Sequence, residues 1–400
     1  MRRKVFPVIM PLLCLCAVSV CAQKKEAQPP RMPGMEYGTE CDMPLFYQQL
    51  KAELTWPWSW QSKQCDMSFK KWRKKAREEV FKTMRMAPPA PESYDYEVVD
   101  RERRDGYEAL KIRFSINKWE RVLAYLLVPD KRKAEGSPAL LMLHDHGAHF
   151  SIGKEKMVRP FGVDSLVMAD AEDWAQRCYD GRYVGDEMAR AGYVVLSTDA
   201  LFWGDRGRKE GVRYDSQQVL SANLLQMGTS WGAWITWDDI RSAEFLARLP
   251  MVDKEKIGCM GFSMGAYRSW MAAALCDVIK ASVSVCWMND TEHLMSLTNN
   301  QNKGGSAYSM LVPGIRNLMD YADVAALACP RPALFFNGSR DKLFPVEGVE
   351  NAYGKMREVW QQQKAGGNLV TKIWDEKHFF NRQMQQEAKA FLDTVFRTGQ

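Results

Sequence analysis

A serine between two glycines, Gly261-Phe262-Ser263-Met264-Gly265, follows the apolar run 256–260 and precedes a helix-forming stretch, 268–275. Strand, sharp turn and helix in that order would lift the hydroxyl clear of the backbone, where it can serve as a nucleophile. The glycines suit such a turn because they let strand and helix pack closely around the serine. A nucleophilic serine also needs a base for its proton, an acid to orient that base, and N–H donors for the oxyanion.

In a strand-turn-helix arrangement of this kind the partners follow in the order serine, acid, histidine. The chain holds five histidines. His144, His146 and His149 precede Ser263, and His293 precedes every good candidate acid, so His378 is the expected base. It falls between a strand expected at 369–374 and a final helix expected at 383–396. Asp341 is the expected acid, because it lies a few residues beyond the strand expected at 333–336, in the loop Asn337-Gly338-Ser339-Arg340. Glu347 is the reserve, and Asp375 is too close to His378 in sequence. The oxyanion donors expected are the amide of Met264 and one amide from the loop 143–149, either His146 or Ala148, with His146 favoured. The three histidines of that loop stand at i, i+2 and i+5, which is not the i, i+4 spacing of a helical zinc motif, and Asp145 does not complete one. No metal is expected, and the chemistry needs no cofactor.

These residues have to be positioned by a sheet. Apolar runs at 139–143, 193–197, 256–260, 281–286, 333–336 and 369–374 alternate with helical stretches, the texture of a mostly parallel sheet flanked by helices. Before them, Leu110, Ile112, Phe114 and Ile116 alternate with polar residues and a second apolar run spans 122–128, which predicts antiparallel first strands. A helix is predicted between Ser68 and Met84, with Trp72, Ala76, Val80 and Met84 on one face. Its basic run, Lys70 to Lys75, reads as a solvated face because Glu78 and Glu79 balance it. A further helix is predicted over 233–249, with Ala233, Trp237, Ile240, Ala243 and Leu246 on one side.

Composition sets the class and the compartment. Of the 400 residues, 46% are apolar and 26% charged, the balance of a soluble globular protein. Met1-Arg2-Arg3-Lys4 and the apolar run 6–21 read as a signal peptide over 1–22, with Pro11 and the short run arguing against a membrane span. Acylation of Cys21, the lipoprotein alternative, is disfavoured by Val20. Cleavage removes Arg2, Arg3 and Lys4 and lowers the net charge from +6 to +3, too mild for a nucleic-acid partner. The rest divides into a flexible leader (23–45), a helical extension (46–93) and a catalytic domain (94–400) with loop insertions near 150–182 and 204–228. The seven cysteines beyond residue 22 form neither a disulfide framework nor a zinc site; Cys41 with Cys65 is the one pairing worth considering. The residue pattern specifies no oligomeric state.

Taken together, Leu143-His144-Asp145-His146-Gly147, the segment Asp199 to Arg206, the elbow around Ser263 and the late Asp341 and His378 resemble bacterial α/β-hydrolases of the dienelactone-hydrolase-like and acetyl xylan esterase-like group. The resemblance covers roughly residues 68–396. It implies an α/β-hydrolase fold and a Ser263-His378-Asp341 esterase acting through an acyl-enzyme, with an esterified carbohydrate as substrate. It also implies a second oxyanion donor just after the His-Gly pair, although Asp145 stands where that group usually has glycine. Serine in place of the cysteine of true dienelactone hydrolases points to ordinary ester cleavage.

Removal of acetyl groups from polysaccharides is the expected activity; Trp203, Trp231 and Trp234 either form a sugar-binding rim or pack in the core. The alternative is a methyl esterase of uronic acids, in which Lys154, Lys156 and Arg159 would hold carboxylates. A peptidase of the prolyl-peptidase type would bring a propeller, for which the chain has no room, and an inactive carbohydrate-binding fold has no reason to keep all three triad members.

Overall fold

Apolar runs long enough to bury both faces become the inner strands of a nine-stranded sheet. The computed structural model describes residues 39–40, 43–44, 46–64, 66–131, 136–295 and 308–397. The signal segment 1–22, most of the leader and the Cys41–Cys65 pairing lie outside these residues. The chain divides into the units Met1–Leu45 and Phe46–Gln400. In the first, Thr39–Glu40 pairs antiparallel with Met43–Pro44.

The second unit contains the sheet: β1 (Tyr96–Arg104), β2 (Tyr107–Asn117), β3 (Glu120–Pro129), β4 (Ser137–Leu143), β5 (Val194–Thr198), β6 (Val252–Phe262), β7 (Ala281–Val285), β8 (Ala333–Gly338) and β9 (Leu369–Trp374). They lie in the order β9-β8-β7-β6-β4-β5-β3-β2-β1. Strands β4 to β9 are mutually parallel, whereas β1, β2 and β3 pair antiparallel and β3 runs antiparallel to β5. Because β3 opposes its neighbour, its first residue, Glu120, lies at the edge where the parallel strands end.

Side chains alternate across a strand, so each inner strand feeds two cores. Leu141, Leu143, Val194, Leu196, Ile257 and Cys259 enter one, while Leu140, Met142, Val195, Met260 and Phe262 enter the other. This double burial leaves every position of β5 and β7 buried, the serines and the threonine included. At the outer edge β1 has one partner, β2, and its residues 97–101 are exposed.

The strand before the nucleophile is longer than its apolar run, because Val252 pairs with Ser137 and Phe262 with Val285. The helix Phe69–Met84 begins at Ser68, whose hydroxyl accepts the Lys71 N–H at 3.4 Å. Trp72, Ala76, Val80 and Met84 are fully buried, while Lys70, Lys71, Lys74 and Lys75 are exposed. The helix predicted over 233–249 runs from Trp231 to Leu246 and is buried on nearly all sides. The two insertions are not plain loops: each carries a helix, Ser165–Tyr179 in the first and Tyr214–Gln226 in the second. In the second the polar Ser216, Gln217 and Ser221 face inward and the apolar Val219 and Leu225 face outward, an inversion that hides a helix from any search for an apolar stripe.

Candidate active site

Strand β6 delivers Ser263 to the end of the parallel sheet, and the helix Met264–Leu275 leaves at once. The turn holds Ser263 at φ 54°, a left-handed conformation costly for a residue with a Cβ. It is fixed by the Ser263 N–H donating to Val285 O at 2.8 Å. Strand and helix approach so closely that a Cβ on Gly265 would lie 1.9 Å from Leu143 O, and one on Gly261 would lie 2.2 Å from the Gly265 backbone. The two glycines therefore hold the close crossing expected of them.

His378 and Asp341 converge on this serine. His378 Nε2 lies 2.9 Å from Ser263 Oγ and its Nδ1 lies 2.6 Å from Asp341 Oδ2. Asp341 Oδ1 accepts the Leu343 N–H at 2.9 Å, and the carboxylate is buried. A carboxylate on Nδ1 holds the proton there and leaves Nε2 to accept from the serine hydroxyl. The His378 ring rests between Phe262, at 4.7 Å, and Phe344, at 6.1 Å. The reserve acid Glu347 faces His293 at 3.5 Å instead, and Asp375 pairs with Arg340 at 2.9 Å. Among the described residues, Cys286 Sγ lies within 4.8 Å of ligand atoms of Asp341 and His378. Burial pushes its thiol well above the ordinary range, so it stays protonated beside the pair.

The loop after β4 is held from several sides. Lys156 is fully buried and its ammonium donates to Asp145 O at 3.1 Å and His146 O at 2.9 Å. Trp203 Nε1 donates to His146 O at 3.0 Å. The Ala148 N–H donates to His146 Nδ1 at 3.2 Å, and burial lowers the His146 pKa to about 3, so its ring is neutral. His144 is committed elsewhere, with Nδ1 on Asp145 O at 2.8 Å and Nε2 accepting the Ala200 N–H at 2.9 Å. His149 pairs with Asp170. The three histidines thus point to separate partners. Asp145 accepts from Trp174 Nε1 at 3.1 Å and Tyr179 Oη at 2.5 Å, which ties the helix Ser165–Tyr179 to this loop.

Two expectations are decided by burial. Lys154 and Lys156 do not face a substrate: Lys154 is fully buried against Asp199 and Glu155, each at 2.8 Å, and Asp205 at 2.5 Å, and Lys156 is spent on carbonyls. Arg159 alone of the three cations is exposed. Trp203 and Trp231 are fully buried and stacked on each other at 5.4 Å, so they form no rim. Trp234 is half-buried and stacks at 6.4 Å on Trp119, which is 65% exposed at the β2–β3 turn. Sequence reasoning passed over Trp119. Its signal was a tryptophan between the charged Lys118 and Glu120 at the start of an antiparallel strand.

Arg206, at the end of the segment after β5, bonds Glu120 at 2.7 and 2.9 Å and Asp238 at 2.8 Å, joining the second insertion to β3 and to the helix Trp231–Leu246. Burial raises the Asp238 pKa to about 6 although Arg206 opposes the shift. The unfolded value is about 3.9, so the folded protein binds this proton more tightly and the stability the group contributes is lost as pH rises through about 6. Relative to Asp238→Asn, the wild type should therefore gain stability as pH falls from about 7 to about 5, by roughly 1 kcal/mol. Unfolding midpoints measured across that range check this, and a constant difference between the two proteins contradicts it.

A family model described as Abhydrolase family matches residues 46–364. YtaP of Bacillus subtilis (strain 168), provisionally named a hydrolase, is 28% identical over 292 residues, spanning 73% of this chain and 89% of its own. A provisionally named acetyl xylan esterase from Bacteroides fragilis superposes with a TM-score of 0.64 at 18% identity, covering 82% of this chain and 81% of that one. A glucuronoyl esterase from Solibacter usitatus superposes with a TM-score of 0.58 at 16% identity, covering 82% and 94%. At these structural identities the likeness is one of fold.

Proposed function

The chain belongs to this family of α/β-hydrolases, and from that premise we propose that it is an exported serine esterase that removes acetyl groups from polysaccharides. The observation that carries the reading is the hydrogen-bonded series Ser263–His378–Asp341 at 2.9 and 2.6 Å, assembled at the end of the sheet on a strained nucleophile turn. Ser263 Oγ attacks the ester carbonyl while its proton passes to His378 Nε2. Asp341 orients the ring and stabilises the imidazolium, which then protonates the departing sugar hydroxyl. Water repeats the sequence on the acyl-enzyme and releases the acid.

The oxyanion donors in this reading are the Met264 amide, first in the nucleophile helix, and the His146 amide. Ala148 already donates its N–H to His146 Nδ1, which favours His146 of the two. Lys156 and Trp203 fix the peptide that follows His146 through its carbonyl. Export rests on the apolar run 6–21 behind its basic start; among the described residues no helix is long and apolar enough to cross a membrane.

Acetyl removal is favoured over methyl-uronate cleavage because two of the three cations that would hold a uronate are fully buried, and because Met264, next to the nucleophile, carries no charge. The enzyme should release acetate from acetylated xylan or acetylated pectin and no methanol from methyl-esterified pectin. Separate assays for acetate and methanol test this, with fluorophosphonate labelling reporting the activated serine independently of substrate. Methanol without acetate would reverse the assignment.

A further inference from the structure

Between the two insertions lies a cavity of about 420 Å³ lined by Ala148 to Ser151 from the loop after β4, Asp170 from the first insertion helix, and Gly204, Gly207, Arg208, Gly211 and Val212 from the second insertion. The Gly204 N–H donates to Phe150 O at 2.9 Å and closes the junction of the two walls. We propose that this cavity seats an uncharged sugar ring of the glycan that carries the ester, a subsite that rests on the esterase reading above.

Three features carry the assignment. First, the cavity is lined from Ala148 onward by the same loop that carries His146, the second oxyanion donor of the reading above. Second, its polar groups are of both kinds. The Asp170 carboxylate gathers His149 and Ser151 on one side. On the other, the Arg208 guanidinium is 46% exposed, with Nη1 on Ser216 Oγ at 3.1 Å and Nε 3.7 Å from Glu210. An acceptor on one wall and a multiple donor on the other match neighbouring ring hydroxyls, which both give and take hydrogen bonds. A uronate would meet the Asp170 carboxylate on one wall and, on the other, a guanidinium that Glu210 already accompanies. Third, the remaining walls suit the C–H faces of a sugar. Phe150 and Val212 are apolar, and Gly211, where an added Cβ would meet nothing within 4 Å, leaves space open. Tyr214, 48% exposed, packs edge-on to Phe150 at 5.7 Å and over the His146 ring at 6.3 Å, placing an aromatic surface against this loop.

The test compares acetylated xylo-oligosaccharides with 4-nitrophenyl acetate, which has no sugar to seat. Arg208→Ala removes the donor, and Val212→Trp fills the cavity without removing a polar group. In both variants the ratio of kcat/KM for the glycan to kcat/KM for the aryl acetate should fall about tenfold or more, through KM for the glycan. An unchanged ratio in either variant overturns the subsite while leaving the esterase reading intact. A larger loss in Arg208→Ala on a methyl-esterified uronate than on the acetylated glycan overturns the choice of an uncharged ring. If the wild type cleaves the aryl acetate and no glycan ester, the carbohydrate reading itself fails.

Discussion

Ser263→Ala should lower kcat for ester cleavage by on the order of 10⁴-fold or more while the fold is kept. The size of the effect follows from what the hydroxyl does. Its oxygen forms the bond to the carbonyl, and its proton is the one His378 is placed to take, at 2.9 Å. With alanine in place the base has no side-chain hydroxyl to deprotonate, and no acyl-enzyme can form. The residual rate should reflect only the oxyanion donors and substrate binding, which explains why the loss is not total. His378→Ala should fall in the same range, and the double variant should be little worse than either single one, because the two residues act as a unit. Turnover of an aryl acetate alongside far-ultraviolet circular dichroism measures both. Near-normal rates in folded Ser263→Ala would sink the mechanism.

Arg268→Met should destabilise the protein by roughly 3–5 kcal/mol. Arg268 lies on the nucleophile helix and its guanidinium bonds Asp239 at 2.7 and 3.0 Å, with both side chains 1% exposed. Its Nη1 also reaches His144 O at 3.4 Å, so the ion pair links the nucleophile helix, the neighbouring helix Trp231–Leu246 and the loop after β4. Burial already raises the Asp239 pKa, and Arg268 is the main influence holding it down. Taking the cation away strands a carboxylate in the core, and most of the cost is that desolvation rather than the lost attraction. The double variant Arg268→Met with Asp239→Leu should therefore be more stable than Arg268→Met alone. Urea unfolding of the wild type, Arg268→Met, Asp239→Leu and the double variant decides it, since additive losses would mean that the two groups are not coupled.

The sheet, and the meeting of Ser263, His378 and Asp341 at its end, were legible in the sequence for related reasons. Double burial writes an inner strand as an apolar run, and β8, buried at every position, covers the run predicted at 333–336. The order serine, acid, histidine left His378 alone among five histidines, so the base was fixed by elimination. What stayed hidden was the direction of side chains in irregular segments. Lys154 and Lys156 flank Glu155 in a stretch with no periodicity, and a lysine there reads as exposed unless the carboxylates and carbonyls that surround it are known. On the same ground the sequence left Trp203 and Trp231 open between rim and core, and both are core. Asp145 looked out of place beside the His-Gly pair, and only its partners Trp174 and Tyr179, 29 and 34 residues on, explain it.

Strand β1 leaves a row of backbone donors and acceptors open along one margin of the sheet, and Val98 and Val99 there are 38% and 47% exposed. Such a margin invites the same strand of another molecule to add on, which is how sheet proteins begin to aggregate. Here Val98 and Val99 are followed at once by Asp100-Arg101-Glu102-Arg103-Arg104, and the pairing register slips between Val98 and Asp100. The slip spoils a straight template, and the charge run makes a second copy bring like charges face to face in any parallel, in-register addition. The exposed margin of the sheet thus carries its own obstacles to edge-to-edge addition.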